Sequence, residues 1–202
     1  MTIKTKHKRR GSTLSLILML LLLVGAVLAV IFWPVEASAS ERQRGVAAMQ
    51  DDIESTTLIH AGDVAPDFTV KMLDGSSIKL SSLQGKPVLI TFWATWCPPC
   101  RQELSHLQAD VIDRYGSEIT VLPISRGEKE SVVRQFIEKM GYKFAVGLDS
   151  NQSIYRKYAT NYIPRCFVVG SDGVVVYSGV GYDETIAKEV DEALKLALSA
   201  QK

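Results

Sequence analysis

Cysteine and histidine are scarce in this 202-residue chain, and the scarcity excludes whole classes of site. It has three cysteines, Cys97, Cys100 and Cys166, and three histidines, His7, His60 and His106. A structural zinc site takes four ligands, usually as two closely spaced pairs. Only Cys97 and Cys100 have that spacing, so a zinc ribbon or finger would lack its second half. No cysteine follows the long apolar run near the N-terminus, which excludes a lipoprotein anchor. Net charge is only +1, and the body of the chain has no internal repeat or low-complexity tract.

The charge that is there is unevenly placed. Lys4, Lys6, Lys8, Arg9 and Arg10 precede residue 14, leaving 18 basic and 22 acidic residues in a mildly acidic body. A basic end on an acidic body is one signature of nucleic-acid binding. Here the next segment gives a better reason for it, and no nucleic-acid partner is expected. Leu14 to Trp33 is twenty residues without a charge. At about 1.5 Å per residue it matches the hydrocarbon thickness of a bilayer. The expected order is a cytoplasmic basic segment over 1–13, a transmembrane signal-anchor over 14–33 and an extracytoplasmic tether over 34–60. The tether would hold at most one short helix, and a single domain would follow over 61–202. Basic residues ahead of the span keep that end in the cytoplasm and put the domain on the periplasmic side. The rival is a cleaved signal peptide, because Ala37-Ser38-Ala39 has the small-x-small form of a cleavage site. A signal core is usually shorter than this run, which favours the anchor.

The domain is organised around Thr91-Phe92-Trp93-Ala94-Thr95-Trp96-Cys97-Pro98-Pro99-Cys100. An apolar strand, Val88 to Phe92, stops at this turn. Arg101 to Tyr115 follows with Leu104, Leu107 and Val111 at helical spacing. Cys97 should therefore sit at a helix N-terminus, with Pro98 near the first helical position, where a missing N–H does little harm. Unpaired amide donors and the helix dipole favour a thiolate there. A thiolate is the nucleophile of disulfide exchange, and a thiol three residues on can resolve the mixed disulfide. A purely structural disulfide is the other reading, but the strand-turn-helix context is the redox one.

Around this centre, Leu73-Asp74-Gly75-Ser76 and Ser171-Asp172-Gly173 signal two β-hairpins. Strands are expected over 68–72, 77–80, 119–124, 144–148, 166–169 and 174–177. Helices are expected over 129–140, ended by Gly141, over 152–158, and from an Asp183 cap to about Leu198. Strands alternating with helices predict an α/β domain with a central mixed sheet covered by helices on both faces.

Trp96-Cys97-Pro98-Pro99-Cys100 after Val88-Leu-Ile-Thr-Phe-Trp-Ala resembles the active site of thioredoxin-fold proteins. Ala65-Pro66-Asp67-Phe68, Asp74-Gly75 and Leu83-Gln84-Gly85-Lys86 narrow the resemblance to the TlpA/ResA-like, membrane-anchored thiol-disulfide oxidoreductases, over about residues 61–198. It implies a thioredoxin-like fold with an N-terminal hairpin and an inserted strand-helix. It also implies that Pro164 is cis and lies beside Cys97, leaving the Ile163 backbone free to pair with a substrate chain. Read from its position alone, Pro164 could simply start a strand.

Relatives carry a glutamate at the place of Glu103. The buried strand acid of ordinary thioredoxins is replaced here by Thr91. Glu103 is therefore the candidate base for Cys100; its other reading is a solvated glutamate complementing the helix dipole. Trp96, Pro98, Pro99, Ile163 and Pro164 would form the docking surface. Arg165-Cys166 departs from the Thr-Thr that commonly follows the proline. Cys166 reads as an inert core thiol and His106 as a solvated side chain.

The implied activity is disulfide exchange with partner proteins, by a monomer with no dissociable cofactor or metal. A membrane electron donor or acceptor would serve it, and a reductant's part in cytochrome c maturation is among the roles of relatives. Two rivals remain. One is a thiol peroxidase, although the peroxiredoxin Pro-x-x-x-Thr/Ser-x-x-Cys pattern is missing. The other is a copper-delivery module, for which no histidine is identified near the pair.

Overall fold

The computed structural model describes residues 12–200, without the side chains of residues 12–14 and 32–38. The chain divides into two units, residues 1–51 and 52–202. Helix α1 spans Ser12–Ser55, and residues 15–31 within it are exposed throughout. Among the described residues no helix is long and apolar enough to cross a membrane. The expected span 14–33 includes Leu14, Phe32 and Trp33, whose side chains lie outside the described residues, as do the five basic residues of the N-terminal segment. The expected tether, 34–60, needs correction: it is helical to Ser55. Its composition explains this, because Ala, Glu, Arg, Gln and Met from Glu36 to Glu54 are strong helix formers.

The second unit is built on a seven-stranded sheet in the order β2-β1-β5-β4-β3-β6-β7. Its strands are β1 (Thr69–Met72), β2 (Ser77–Lys79), β3 (Val88–Trp93), β4 (Thr120–Arg126), β5 (Gly147–Asp149), β6 (Arg165–Val169) and β7 (Val175–Val180). The pairs β3–β4 and β4–β5 are parallel and the remaining four antiparallel, so the sheet is mixed as expected. Both hairpins form where the turn residues place them, with Gly75 and Gly173 at φ +92° and +87°. Those left-handed angles are ones only glycine adopts without strain. β5 is shorter than the stretch expected over 144–148. It begins at Gly147, where an added Cβ would lie 2.7 Å from Val70 Cγ2, and only glycine lets β1 approach this closely.

Central β3 is buried along its whole length, and its alternation divides the core. Leu89 and Trp93 face one cluster with residues of α2 (Pro98–Leu107), α4 (Glu130–Met140) and α5 (Glu184–Ser199); α3 (Asp113–Tyr115) prolongs α2 after a π turn over Gln108–Ile112. Val88, Ile90 and Phe92 face a second cluster with Phe68, Tyr155, Tyr158 and Phe167. The domain's three long α-helices thus share one face, and short 3₁₀ turns at Leu80–Leu83 and Tyr155–Lys157 lie on the other. That is a correction to helices on both faces. The physical reason is aromatic bulk: Phe92, Tyr155, Tyr158 and Phe167 pack ring to ring at 5.0–6.2 Å and fill much of that side.

Candidate active site

The turn from β3 into α2 is held from its own backbone and from the next strand. Cys97 N–H donates to Ala94 O at 3.2 Å. Thr95 donates through N–H and Oγ1 to the Glu128 carboxylate at 2.8 and 2.6 Å, and Ser125 Oγ donates to it at 3.0 Å. Parallel pairing sets Trp93 opposite Ser125 and so brings Glu128 under the turn. No short-range spacing connects residues 95 and 128, which is why sequence does not reveal Glu128.

Cys97 is the N-cap of α2, with extended φ −90° and ψ 110°, and Pro98 opens the helix. The Cys100 N–H points at Cys97 Sγ from 3.3 Å, so one of the orphan donors of a helix start is aimed at the sulfur. The two sulfurs are joined as a disulfide with Cα atoms 5.3 Å apart, and the structure is the oxidised form. Cys97 is 3 % exposed and Cys100 fully buried. Trp96 and Pro98 beside them are exposed and Pro99 half-buried.

The Ile163–Pro164 bond is cis, and Ile163 O lies 3.6 Å from Cys97 Sγ. Pro164 leads directly into β6. Among the described residues, no backbone hydrogen bond within the chain uses the Ile163 N–H. Of the residues expected to face a substrate, Trp96, Pro98 and Pro99 adjoin Cys97 in the chain, and the Ile163 carbonyl reaches its sulfur from the cis-proline loop.

Glu103 is not a solvated glutamate. It is 9 % exposed, on the face of α2 turned to β3, where Thr91 Oγ1 donates to its Oε1 at 2.8 Å. Oε2 is buried with no partner. Burial pushes the carboxyl up to about 7, against the opposing hydrogen bond from Thr91. The threonine that replaces the strand acid thus supports the helix glutamate. A cavity of about 310 Å³ between α2 and α5 reaches Glu103 and Cys166.

Cys166 faces Thr91 across the β3–β6 pair and is a buried free thiol. Burial first, and then the Glu103 charge, raise its pKa, so it is a poor nucleophile. His106 is exposed, 3.4 Å from Asp110. Trp93 is fully buried and packs against Phe136. A second residue whose part is hidden in the sequence is Arg165, fully buried immediately after Pro164.

A strand-turn-helix that carries two cysteines at the C-terminal end of a central strand, with a proline loop closing over the first of them, belongs to one class. Fold and site define a thioredoxin-like protein with a redox-active cysteine pair. The family model described as AhpC/TSA matches residues 61–178, and the chain belongs to that family. Within it the chain is ResA-like. It is 33 % identical over 121 residues to the thiol-disulfide oxidoreductase ResA of Bacillus thuringiensis, covering 59 % of this chain and 69 % of that one. Against ResA of Halalkalibacterium halodurans the identity is 29 % over 141 residues, covering 69 % and 80 %. Among solved structures, a thiol:disulfide interchange protein of the thioredoxin family from Chlorobium tepidum superposes with a TM-score of 0.59. Its identity is 26 %, over 68 % of this chain and 97 % of that one.

Proposed function

We propose that this chain is a thiol-disulfide oxidoreductase tethered to the cytoplasmic membrane, with its domain on the extracytoplasmic side. The observation that carries the activity is Cys97: a helix-capping sulfur, paired with Cys100 and flanked by the Ile163 backbone. In the reducing direction, the Cys97 thiolate attacks one sulfur of a partner's disulfide. The partner's S–S bond breaks, its other sulfur leaves as a thiolate, and a mixed disulfide forms. Cys100 then attacks Cys97, giving up its proton to Glu103 and expelling the partner's second thiolate. Two electrons pass to the partner, and the protein is left with the Cys97–Cys100 disulfide. The reverse direction uses the same sulfurs. Glu103 suits the proton transfer because its unpaired Oε2 lies in a buried site and a pKa near 7 matches neutral solution.

What supports the tether is sequence: twenty uncharged residues behind five basic ones. A membrane electron donor or acceptor would regenerate the pair, the domain would act as a monomer, and cytochrome c maturation is the finer role that the ResA-like motifs suggest. The full chain, reduced and held in detergent, should reduce insulin disulfides faster than it consumes hydrogen peroxide. A reporter active only outside the cytoplasm, fused after Lys202, should be active. Peroxide consumption outpacing insulin reduction would overturn the exchange reading, and a silent reporter with the fusion present would overturn the topology.

A further inference from the structure

Arg165 is the largest charged group in the core, and among the described residues no carboxylate forms an ion pair with it. A buried cation is tolerated only where its N–H groups are met. Here they are met almost entirely by one short segment. Nε donates to Asn161 O at 2.9 Å, Nη1 to Thr57 Oγ1 at 2.7 Å, and Nη2 to Thr56 Oγ1 at 2.8 Å and Ile53 O at 3.4 Å. Each threonine hydroxyl in turn donates to Ile53 O at 2.8 Å. The guanidinium therefore sits against the C-terminal end of α1, the negative end of the helix dipole.

The same segment is laced to the loop before Pro164. Leu58 N–H donates to Tyr158 O at 3.0 Å, and Thr160 N–H to Thr56 O at 2.9 Å. Thr57 and Ala159 form a bridge, and the Tyr162 hydroxyl bonds the Asp52 carboxylate. Tyr162 is left-handed at φ +68°, an angle that a tyrosine holds only when its surroundings require it. Its carbonyl accepts from Tyr155 Oη at 2.7 Å. Residue 163 of this loop is the wall beside Cys97.

We propose that the segment from Asp52 to Leu58 is a working part of the substrate-docking loop, and that Arg165 is a positioning residue for exchange with protein substrates. The inference rests on the disulfide-exchange reading above. A partner chain that docks as an added strand needs the Ile163 backbone at a fixed distance from Cys97. A small disulfide needs only the sulfur. The two substrate types therefore separate a positioning role from a general structural one.

The test uses the full chain in detergent, reduced, with insulin and 5,5′-dithiobis(2-nitrobenzoate) as the two disulfides. Variants are Arg165→Lys, which keeps the charge but loses the planar fork, and the double variant Thr56→Val/Thr57→Val, which removes two acceptors. Thr56→Ser/Thr57→Ser restores the hydroxyls. The insulin rate should fall roughly tenfold in the first two, a tenfold change being about 1.4 kcal/mol, while the small-disulfide rate stays within about twofold. The serine pair should recover the insulin rate. Equal losses with both disulfides, or no loss with insulin, would overturn the proposal. Failure of the unsubstituted protein to react with the small disulfide would instead overturn the exchange reading on which it rests.

Discussion

Cys97→Ser is expected to bring insulin reduction down to the uncatalysed background, whereas Cys100→Ser retains the first attack and stalls after it. Stability does not explain such a difference, because both substitutions remove the same cross-link. It closes a loop of four residues, worth about 2 kcal/mol in the chain-entropy account, and the loss is common to the pair. Both side chains also leave the same hydrophobic cluster, so packing losses are matched in kind. What differs is chemistry. The sulfur that receives the Cys100 N–H and lies beside Ile163 O is that of Cys97, and a serine hydroxyl there has no accessible anion at neutral pH. The check is a pair of progress curves together with thermal unfolding of each variant. A stoichiometric burst of insulin thiol from Cys97→Ser, or none from Cys100→Ser, would contradict the assignment of roles.

Glu103→Gln has two expected effects of opposite value. The first is on stability. The carboxyl holds its proton up to about pH 7 in the folded oxidised protein, against an ordinary value of 4.5. The folded state thus binds more protons than the unfolded state between those values, and stability falls as pH rises through that window. Above pH 7 the penalty approaches about 3 kcal/mol, since each tenfold change in proton affinity is worth about 1.36 kcal/mol. Glutamine carries no such charge. The variant should therefore gain on the parent by roughly that amount between pH 4 and pH 8, followed by denaturant unfolding of the oxidised proteins. The second effect is on the reaction. Without an acceptor for the Cys100 proton, resolution of the mixed disulfide should slow by on the order of a hundredfold near pH 7. A glutamate serving only the helix dipole would change neither quantity.

Local signals in the sequence had local consequences. Asp74-Gly75 and Asp172-Gly173 turn hairpins, Asp183 caps α5 through the Ile186 N–H, and Gly141 ends α4 in a left-handed conformation. The cysteine pair and Pro98 could be placed at a helix start because strand, turn and helix are contiguous there. Glu103 could be found because it lies one turn beyond Cys100, but its burial could not. That depends on Thr91 pointing to the same face of β3, a matter of alternation parity and helix docking together.

The features that escaped are those assembled across long separations. Glu128 reaches Thr95 only through the β3–β4 pairing, and Arg165 meets Thr56 and Thr57 more than a hundred residues away. In α4, Val132, Val133, Phe136, Ile137 and Met140 recur at helical spacing, yet only Val133 and Ile137 are buried. The helix turns a narrower face to the sheet than its pattern allows. Leu58 and Thr57 looked like tether because nothing in their neighbourhood reveals backbone partners at Tyr158 and Ala159.

The most direct measurement is to trap the intermediate. The full-length Cys100→Ser protein, reduced and mixed with insulin, should be quenched with acid and digested, and the linked peptides identified by mass spectrometry. The account predicts a mixed disulfide carried on the peptide that contains Cys97, accumulating because the resolving thiol has gone. A partner found on Cys166 instead, or no covalent intermediate while insulin is still being reduced, would contradict it.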